Sequence, residues 1–225
     1  VHKGFAPPSA SLYQKAESSV NVEMGMRLTT NKMKLEAIVF NNNYSNMLGS
    51  DLAAQGGQGT LEQFNVGKAM VNGLELMFQY LPLPKHFAFQ LPIQLSYTYT
   101  NTQMKNDFES SAWGHVHYGD EIPYIYKHAF NAQISLEHKR VEANFGARFN
   151  GDMRTTPGQG KIAEREKIPA HVILDASLKV HVNKNITISL NGINLANKKY
   201  LVSRHPSGLR AGHPLGVYGG LRLQL

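Results

Sequence analysis

Residues 214–225 read PLGVYGGLRLQL, and this stretch decides the fold of the chain. Every second position holds an apolar residue or glycine, namely Leu215, Val217, Gly219, Leu221, Leu223 and Leu225. The positions between them hold Gly216, Tyr218, Gly220, Arg222 and Gln224. A period of two places successive side chains on opposite faces of a strand, one apolar and one mixed. We therefore expect the chain to end inside a β-sheet.

The same alternation recurs upstream of this stretch and predicts about nine strands in all. Three pairs read as hairpins, around the short polar connections 29–32, 138–140 and 183–185. A fourth short connection is expected at 82–90, whereas the long connections are expected at 1–17, 48–65, 104–124, 153–167 and 204–213. Short turns at one end and long loops at the other are typical of bacterial outer-membrane barrels.

Composition excludes several classes of protein. The chain has 225 residues, 17% of them charged, and no run approaches the roughly 18 to 20 apolar residues of a spanning helix. The absence of cysteine excludes disulfide frameworks, thiolate zinc sites and cysteine nucleophiles. The net charge of +7 is scattered through turns and loops rather than clustered, so nucleic acid is not an expected partner.

These patterns predict an all-β fold, a transmembrane antiparallel β-barrel in which this chain supplies about nine strands. Glu23 and Arg27 share one strand face, which a polar lumen accommodates and a dry core does not. Nine strands leave two open edges that lipid does not tolerate, so we expect an N-terminal portion or a second chain to complete the barrel. A soluble β-sandwich remains an alternative, and it would pack Phe145, Val172 and Leu174 against a second sheet.

Short segments along the chain also carry a family resemblance. They are 3–9 (KGFAPPS), 17–27, Asn72-Gly73-Leu74-Glu75, 119–124 (GDEIPY), Met153-Arg154 with 158–160, Asn194-Leu195 with Tyr200, and 203–206 through 212–214. The chain resembles the C-terminal part of TonB-dependent outer-membrane receptors, and within them it is most similar to the ferric-citrate (iron dicitrate) transport receptors. It departs from that pattern at Leu225, where an aromatic residue is usual, and at Tyr126, which replaces a common proline.

The resemblance implies a plugged barrel of roughly 22 strands in the bacterial outer membrane, with residues 1–225 as its C-terminal part and the plug outside this chain. It implies import of a ferric chelate, ferric citrate or a similar siderophore, with energy coupled through TonB. The implied partners are the rest of the same receptor, TonB, outer-membrane lipid, lipopolysaccharide and the chelate. No cofactor is expected. A receptor for another metal complex such as nickel, and a porin-type channel without a plug, remain alternatives.

Candidate ligand-binding residues lie in the long loops. A ferric dicitrate complex is anionic, so guanidinium and amide donors suit it, and the candidates are Gln55, Gln58, Arg154, Arg204 and Arg210. The alternative is that the loop arginines contact lipopolysaccharide phosphates or simply keep the loops solvated. We predict no metal site, and His115 and His117 are the residues that one would use.

An enzymatic function is not expected. A lipid-facing hydrolase would require an outward serine with a histidine beside it. The strand serines instead fall on the predicted lumen face, with no outward histidine beside them. Acidic residues on that face are interpreted as ion pairs of the lumen wall and as plug contacts, Glu23 with Arg27 and Glu75 with Asp175.

Overall fold

The computed structural model of the chain describes residues 16–50, 63–84, 86–110, 113–204 and 208–224. Within these ranges, nine long strands follow one another as an antiparallel meander, each paired with the next. They are β1 (Ser18–Thr29), β2 (Met33–Ser50), β3 (Gln63–Tyr80), β4 (Ile93–Met104), β5 (His128–His138), β6 (Val141–Asn150), β7 (His171–His181), β8 (Ile186–Ile193) and β9 (Gly216–Leu223). The sheet is open, with β1 and β9 at its edges. The predicted all-β antiparallel fold is confirmed.

The register brings the apolar positions of all nine strands to one face of the sheet. One lateral row runs through Ile134, Phe145, Ala176, Gly192 and Val217. Val172 and Phe145 on this face are 46% and 45% exposed, and no second sheet covers them in the described part of the chain. The β-sandwich alternative is therefore wrong, because its core would bury these side chains.

The opposite face is mainly polar, and several of its side chains form hydrogen-bonded ladders across neighbouring strands. Ser135 donates to the Asn144 amide oxygen at 2.6 Å, and the Asn144 amide nitrogen donates to the Ser177 hydroxyl at 3.1 Å. Lys179 donates to Glu142 at 2.7 Å. Polar side chains linked in this way suit a wall that faces water or polar protein rather than hydrocarbon.

The ion pairs of this face differ from the predicted ones. Arg27 pairs with Glu36 at 2.7 Å, because Glu36 is its direct cross-strand neighbour in the register, whereas Glu23 lies opposite Phe40. Glu75 and Asp175 lie on strands β3 and β7, four strands apart, so they do not form a local cluster. Asp175 instead faces Arg148 on β6 at 3.9 Å.

The connections alternate between the two ends of the sheet as predicted. Three connections at one end are short, namely 30–32, 139–140 and 182–185. The turn 81–92 at the same end is longer, and it contains Phe89–Gln90, which pairs with β5 as a tenth strand of the sheet. The other end carries 105–127, 151–170 and 194–215. Helical structure in the described ranges is limited to the 3-10 turn Glu164–Glu166, and no helix there is long and apolar enough to cross a membrane.

Gly73 marks a close approach between β3 and its neighbours. A Cβ atom at this position would overlap the carbonyl oxygen of Tyr99 and come within 2.7 Å of the Phe40 ring. Glycine at position 73 therefore leaves the space that the Tyr99 carbonyl and the Phe40 ring occupy.

Candidate functional site

Three long connections gather at one end of the sheet, and we name them loop A (105–127), loop B (151–170) and loop C (194–215). Each contains a small two-stranded ribbon. The ribbons are Phe108–Ser110 with Gly114–Val116, Met153–Arg154 with Lys167–Ile168, and Leu201–Ser203 with Arg210–Ala211. The predicted loops are thus partly regular structure, and side-chain bonds join each loop to the next.

Arg154 joins loop B to loop A. Its side chain is only 6% exposed, and its Nε donates to the Glu121 carboxylate at 2.9 Å. Its Nη2 donates to the Gly160 carbonyl at 3.1 Å. Main-chain bonds run beside it, from Tyr124 N to Arg154 O and from Glu121 N to Gly158 O. The two family-like segments 119–124 and 153–160 therefore form one latch, in which Arg154 is the buried member.

A second arm of this contact involves Gln159 and Asp120. The Gln159 amide donates to the Asp120 carboxylate at 3.2 Å and to the Tyr118 carbonyl at 3.1 Å. Asp120 is 5% exposed and also accepts from the His117 amide at 2.9 Å. Because every charge and amide here already has a partner, this arm fixes the shape of the loops.

Arg204 joins loop C to loop B. Its Nε donates to the Lys167 carbonyl at 2.8 Å and its Nη2 to the Glu164 carbonyl at 3.1 Å. The Lys167 ammonium hydrogen-bonds the Glu164 carboxylate and, with the charges of Lys161 and Arg204, holds its pKa below the ordinary value. Arg204 thus contributes positive charge to the mouth while two of its nitrogens hold the main chain of loop B.

Asn194 organises loop C, and our site prediction did not include it. The side chain is fully buried, donates to the carbonyls of Lys198 and His213 at 2.9 and 2.8 Å, and accepts from the Lys198 amide at 2.8 Å. The main-chain amide of Asn194 donates to the Asp175 carboxylate at 2.8 Å. The φ angle of Asn194 is 50°, a left-handed conformation that asparagine tolerates. The family-like pair Asn194-Leu195 was the available signal.

An aromatic cluster lies where loops A and C meet the first residue of β7, His171, at the loop end of the sheet. His171 is 5% exposed and stacks on Tyr200 with ring centroids 4.7 Å apart, and Tyr126 meets His171 edge-on at 6.1 Å. Burial, together with the nearby Tyr200, raises the pKa of the Tyr126 phenol above its ordinary value. Gly212 permits this packing, because a Cβ there would overlap the Tyr200 ring.

The remaining candidates fall in three different settings. Arg210 is exposed, and its side chain has no hydrogen-bond or ion-pair partner among the described residues. Gln55 and Gln58 lie outside the described residues. His115 and His117 bring their rings to 4.3 Å, with His115 Nδ1 2.5 Å from a Glu109 oxygen. No group of three or more histidine or acidic residues in the described ranges is arranged to hold a metal ion.

Below the loops, the polar face contains a groove of about 660 Å³. Its lining includes Gln133, Asn144, Arg148, Asp175, Ser177 and Asn191. In loop C, Arg210 is exposed and Arg204 is half-buried. This arrangement suits the binding of an anion by charge-assisted hydrogen bonds.

Comparison with known proteins places the chain in a family. The model of the family described as "TonB dependent receptor-like, beta-barrel" matches residues 1–195. The chain is 27% identical over 149 residues to the probable TonB-dependent siderophore receptor PiuA of Acinetobacter baumannii, covering 64% of this chain and 19% of that protein. The chain thus spans about a fifth of the length of this curated relative.

Solved structures share the fold at low sequence identity. The ferric-catecholate import receptor Fiu of E. coli K12 superposes with a TM-score of 0.64 at 23% identity, covering 93% of this chain and 28% of that one. The ferric citrate transporter FecA in its unliganded form gives 0.68 at 18% identity, covering 91% of this chain and 31% of that one. Because the family match covers most of its residues, and because its two-faced antiparallel sheet has the matching fold, the chain belongs to the TonB-dependent receptor β-barrel family.

Proposed function

We propose that this chain forms the C-terminal strands of an outer-membrane receptor that imports a ferric chelate, ferric citrate or a similar siderophore, with energy coupled through TonB. One observation carries the proposal: a continuous apolar face and a continuous polar face alternate through nine strands beneath a latched, cationic mouth. Lipid covers the first face and the lumen contents contact the second. The remaining strands and the plug come from the rest of the receptor, and no cofactor is needed.

The anionic charge of ferric citrate matches the positive charge of the mouth. The Arg210 side chain has no partner among the described residues, and we propose it as a direct ligand contact together with Gln55 and Gln58. We propose that Arg154 and Arg204 act mainly by holding the loops in place, since their nitrogens already bind Glu121 and loop-B carbonyls. A single charge-assisted hydrogen bond contributes about 1.5–3 kcal/mol, or roughly 10- to 100-fold in affinity.

The similar structures bear names of different cargoes, a ferric catecholate and ferric citrate, at nearly equal TM-scores. The shared fold therefore does not choose the chelate, and the choice depends on loop chemistry. Arginines favour a carboxylate-rich chelate because a guanidinium fork matches carboxylate geometry. This preference is the basis for proposing citrate ahead of other ligands.

The proposal is tested by uptake of radioactive iron into cells that carry the full-length receptor. We expect uptake of ferric citrate that is lost when TonB is deleted, and no comparable uptake of a nickel complex. TonB-independent uptake would indicate the porin-type channel, and TonB-dependent uptake of nickel without iron would indicate the other cargo.

A matched pair of variants tests the site. Arg210→Ala is expected to weaken ferric citrate binding by roughly tenfold or more. The control is Arg165→Ala, which removes an arginine that is 87% exposed in loop B and whose one ion-pair partner in the described ranges is Glu166 at 3.4 Å. Equal losses in both variants would mean that Arg210 acts through general charge and not as a ligand contact.

A further inference from the structure

We propose that Lys68 and Lys105 bind a phosphate group of lipopolysaccharide on the outer face of the barrel. The proposal rests on the proposed function, because it requires that the chain lies in the outer membrane with its long loops outside the cell. It concerns the lipid-facing side of the wall, which the ligand-binding mouth does not use.

The outer face of β3 and β4 changes character along its length. Its rows, from the short-turn end toward loop A, are Tyr80 with Ile93, Phe78 with Leu95, Leu76 with Tyr97, Leu74 with Tyr99, Asn72 with Asn101, and Met70 with Gln103. The next row is Lys68 with Lys105, joined by a main-chain bond of 2.8 Å. The face thus passes from apolar to aromatic, then to amide, and then to cationic.

The two lysines lie on the same face and directly opposite each other. Their neighbours Ala69 and Met104 point the other way and are buried with Val116 beneath loop A. Directly opposed side chains on adjacent strands have Cβ atoms about 5 Å apart, and like charges in this position destabilise the sheet. An anion between the two ammonium groups would remove this repulsion.

The protein does not supply that anion from the described residues. Neither ammonium has a carboxylate oxygen within 4.0 Å there, whereas Lys127, Lys167 and Lys179 each pair with a glutamate. Lys105 donates to the Gln103 amide oxygen at 2.5 Å and lies 5.6 Å from the centre of the Tyr118 ring.

The nearby acidic residues of loop A have other partners. Asp107 accepts from the Tyr118 amide, and Glu109 binds His115. No acidic side chain in the described part of the chain pairs with either ammonium group, and Lys68 is exposed to what surrounds the barrel.

The depth of the pair fits the polar layer of the outer leaflet. Below it, Tyr97 Oη lies 2.8 Å from His128 Nδ1, and the Tyr99 ring lies 5.3 Å from the His128 ring. Amphipathic aromatic groups of this kind settle at the boundary of the hydrocarbon. The lysines come six residues after Tyr99 along β4, about 15 Å higher for a tilted strand, and their side chains reach back toward the membrane. This is the layer in which lipopolysaccharide carries phosphate.

The experiment measures how the purified full-length receptor in detergent binds rough lipopolysaccharide, before and after hydrofluoric acid has removed the phosphates. We expect the wild-type protein to prefer the phosphorylated form by about 30-fold, from a contribution of roughly fivefold by each lysine. Lys68→Gln with Lys105→Gln should abolish this preference. The control Lys139→Gln, an exposed lysine of a short turn at the opposite end, should retain it.

The proposal is overturned if the double variant keeps the preference or if Lys139→Gln loses it equally. A titration of the same preparations with ferric citrate separates the two proposals. We expect the double variant to keep the chelate affinity of the wild type, and a loss would mean that the lysines bind the anionic cargo instead. A wild-type receptor that prefers phosphorylated lipopolysaccharide but binds no ferric chelate would refute the proposed function alone.

Discussion

The latch between loops A and B gives the sharpest prediction about the mouth. Replacing Arg154 by Gln removes a guanidinium that is 6% exposed and that holds Glu121 at 2.9 Å and the Gly160 carbonyl at 3.1 Å. Replacing Glu121 by Gln leaves the same guanidinium without its carboxylate. If Arg154 acts through the latch, both changes loosen the same loops and weaken chelate binding together.

The magnitude follows from the two bonds and the degree of burial. A hydrogen bond to a charged group contributes about 1.5–3 kcal/mol, and an unpaired buried charge adds a further penalty. Glu121 is 32% exposed, so water compensates part of the loss on its side. We therefore expect Arg154→Gln to cost the latch about 2–4 kcal/mol and Glu121→Gln about 1–2 kcal/mol, with a coupling of at least about 1 kcal/mol in a double-mutant cycle.

Hydrogen exchange of the full-length receptor measures this directly, because Glu121 N and Tyr124 N bond across the latch. A cost of about 2–4 kcal/mol raises the exchange of these amides by roughly 30- to 1,000-fold. The control Arg165→Gln should leave both amides protected. The latch would be refuted if Arg154→Gln bound the chelate more weakly while the exchange of these amides stayed unchanged, and if Glu121→Gln bound the chelate normally. That result would make Arg154 a ligand contact.

Three further predictions concern the rest of the chain. Asn194→Ala removes three buried side-chain hydrogen bonds, so we expect loop C to lose about 2–4 kcal/mol of local stability, seen as faster exchange there than in loop A. Gly73→Ala places a methyl group against the Tyr99 carbonyl, so we expect a smaller folded fraction by heat-modifiable gel migration, whereas Gly219→Ala, whose Cβ would meet no atom within 4 Å, should fold normally. The folded loops hold the Tyr126 proton more tightly than the unfolded chain does, so this contribution to stability persists up to about pH 10 and falls as pH rises through the raised pKa of Tyr126. Tyr126→Phe should remove a late-titrating component of the phenolate absorbance.

The strands and their faces could be predicted from the sequence because they depend on a local signal. A period of two in 172–182 or 214–225 assigns each side chain to a face, and short polar turns such as 183–185 fix the pairing of neighbours. The same logic placed the strand serines on the polar face, where Ser135 and Ser177 bind Asn144.

Side-chain partners could not be predicted in the same way. Whether Arg27 meets Glu23 or Glu36 depends on the register across a turn, and the residue directly opposite is the partner. Arg154 and Glu121 are 33 residues apart in the chain and meet only when two loops fold over the barrel. Sequence patterns show that Arg154 and Arg210 are both loop arginines, but only the structure shows that the first is buried and the second exposed.

The central claim is that hydrocarbon covers one face of this sheet and a polar lumen lies against the other. The chain has no cysteine, so single cysteines can be placed in it, in the full-length receptor, and spin-labelled. For the adjacent positions 144 and 145 in a lipid bilayer, the account predicts that a label at Phe145 collides mainly with dissolved oxygen and a label at Asn144 mainly with a water-soluble nickel chelate. Equal accessibility at the two positions, or the reverse order, would contradict it.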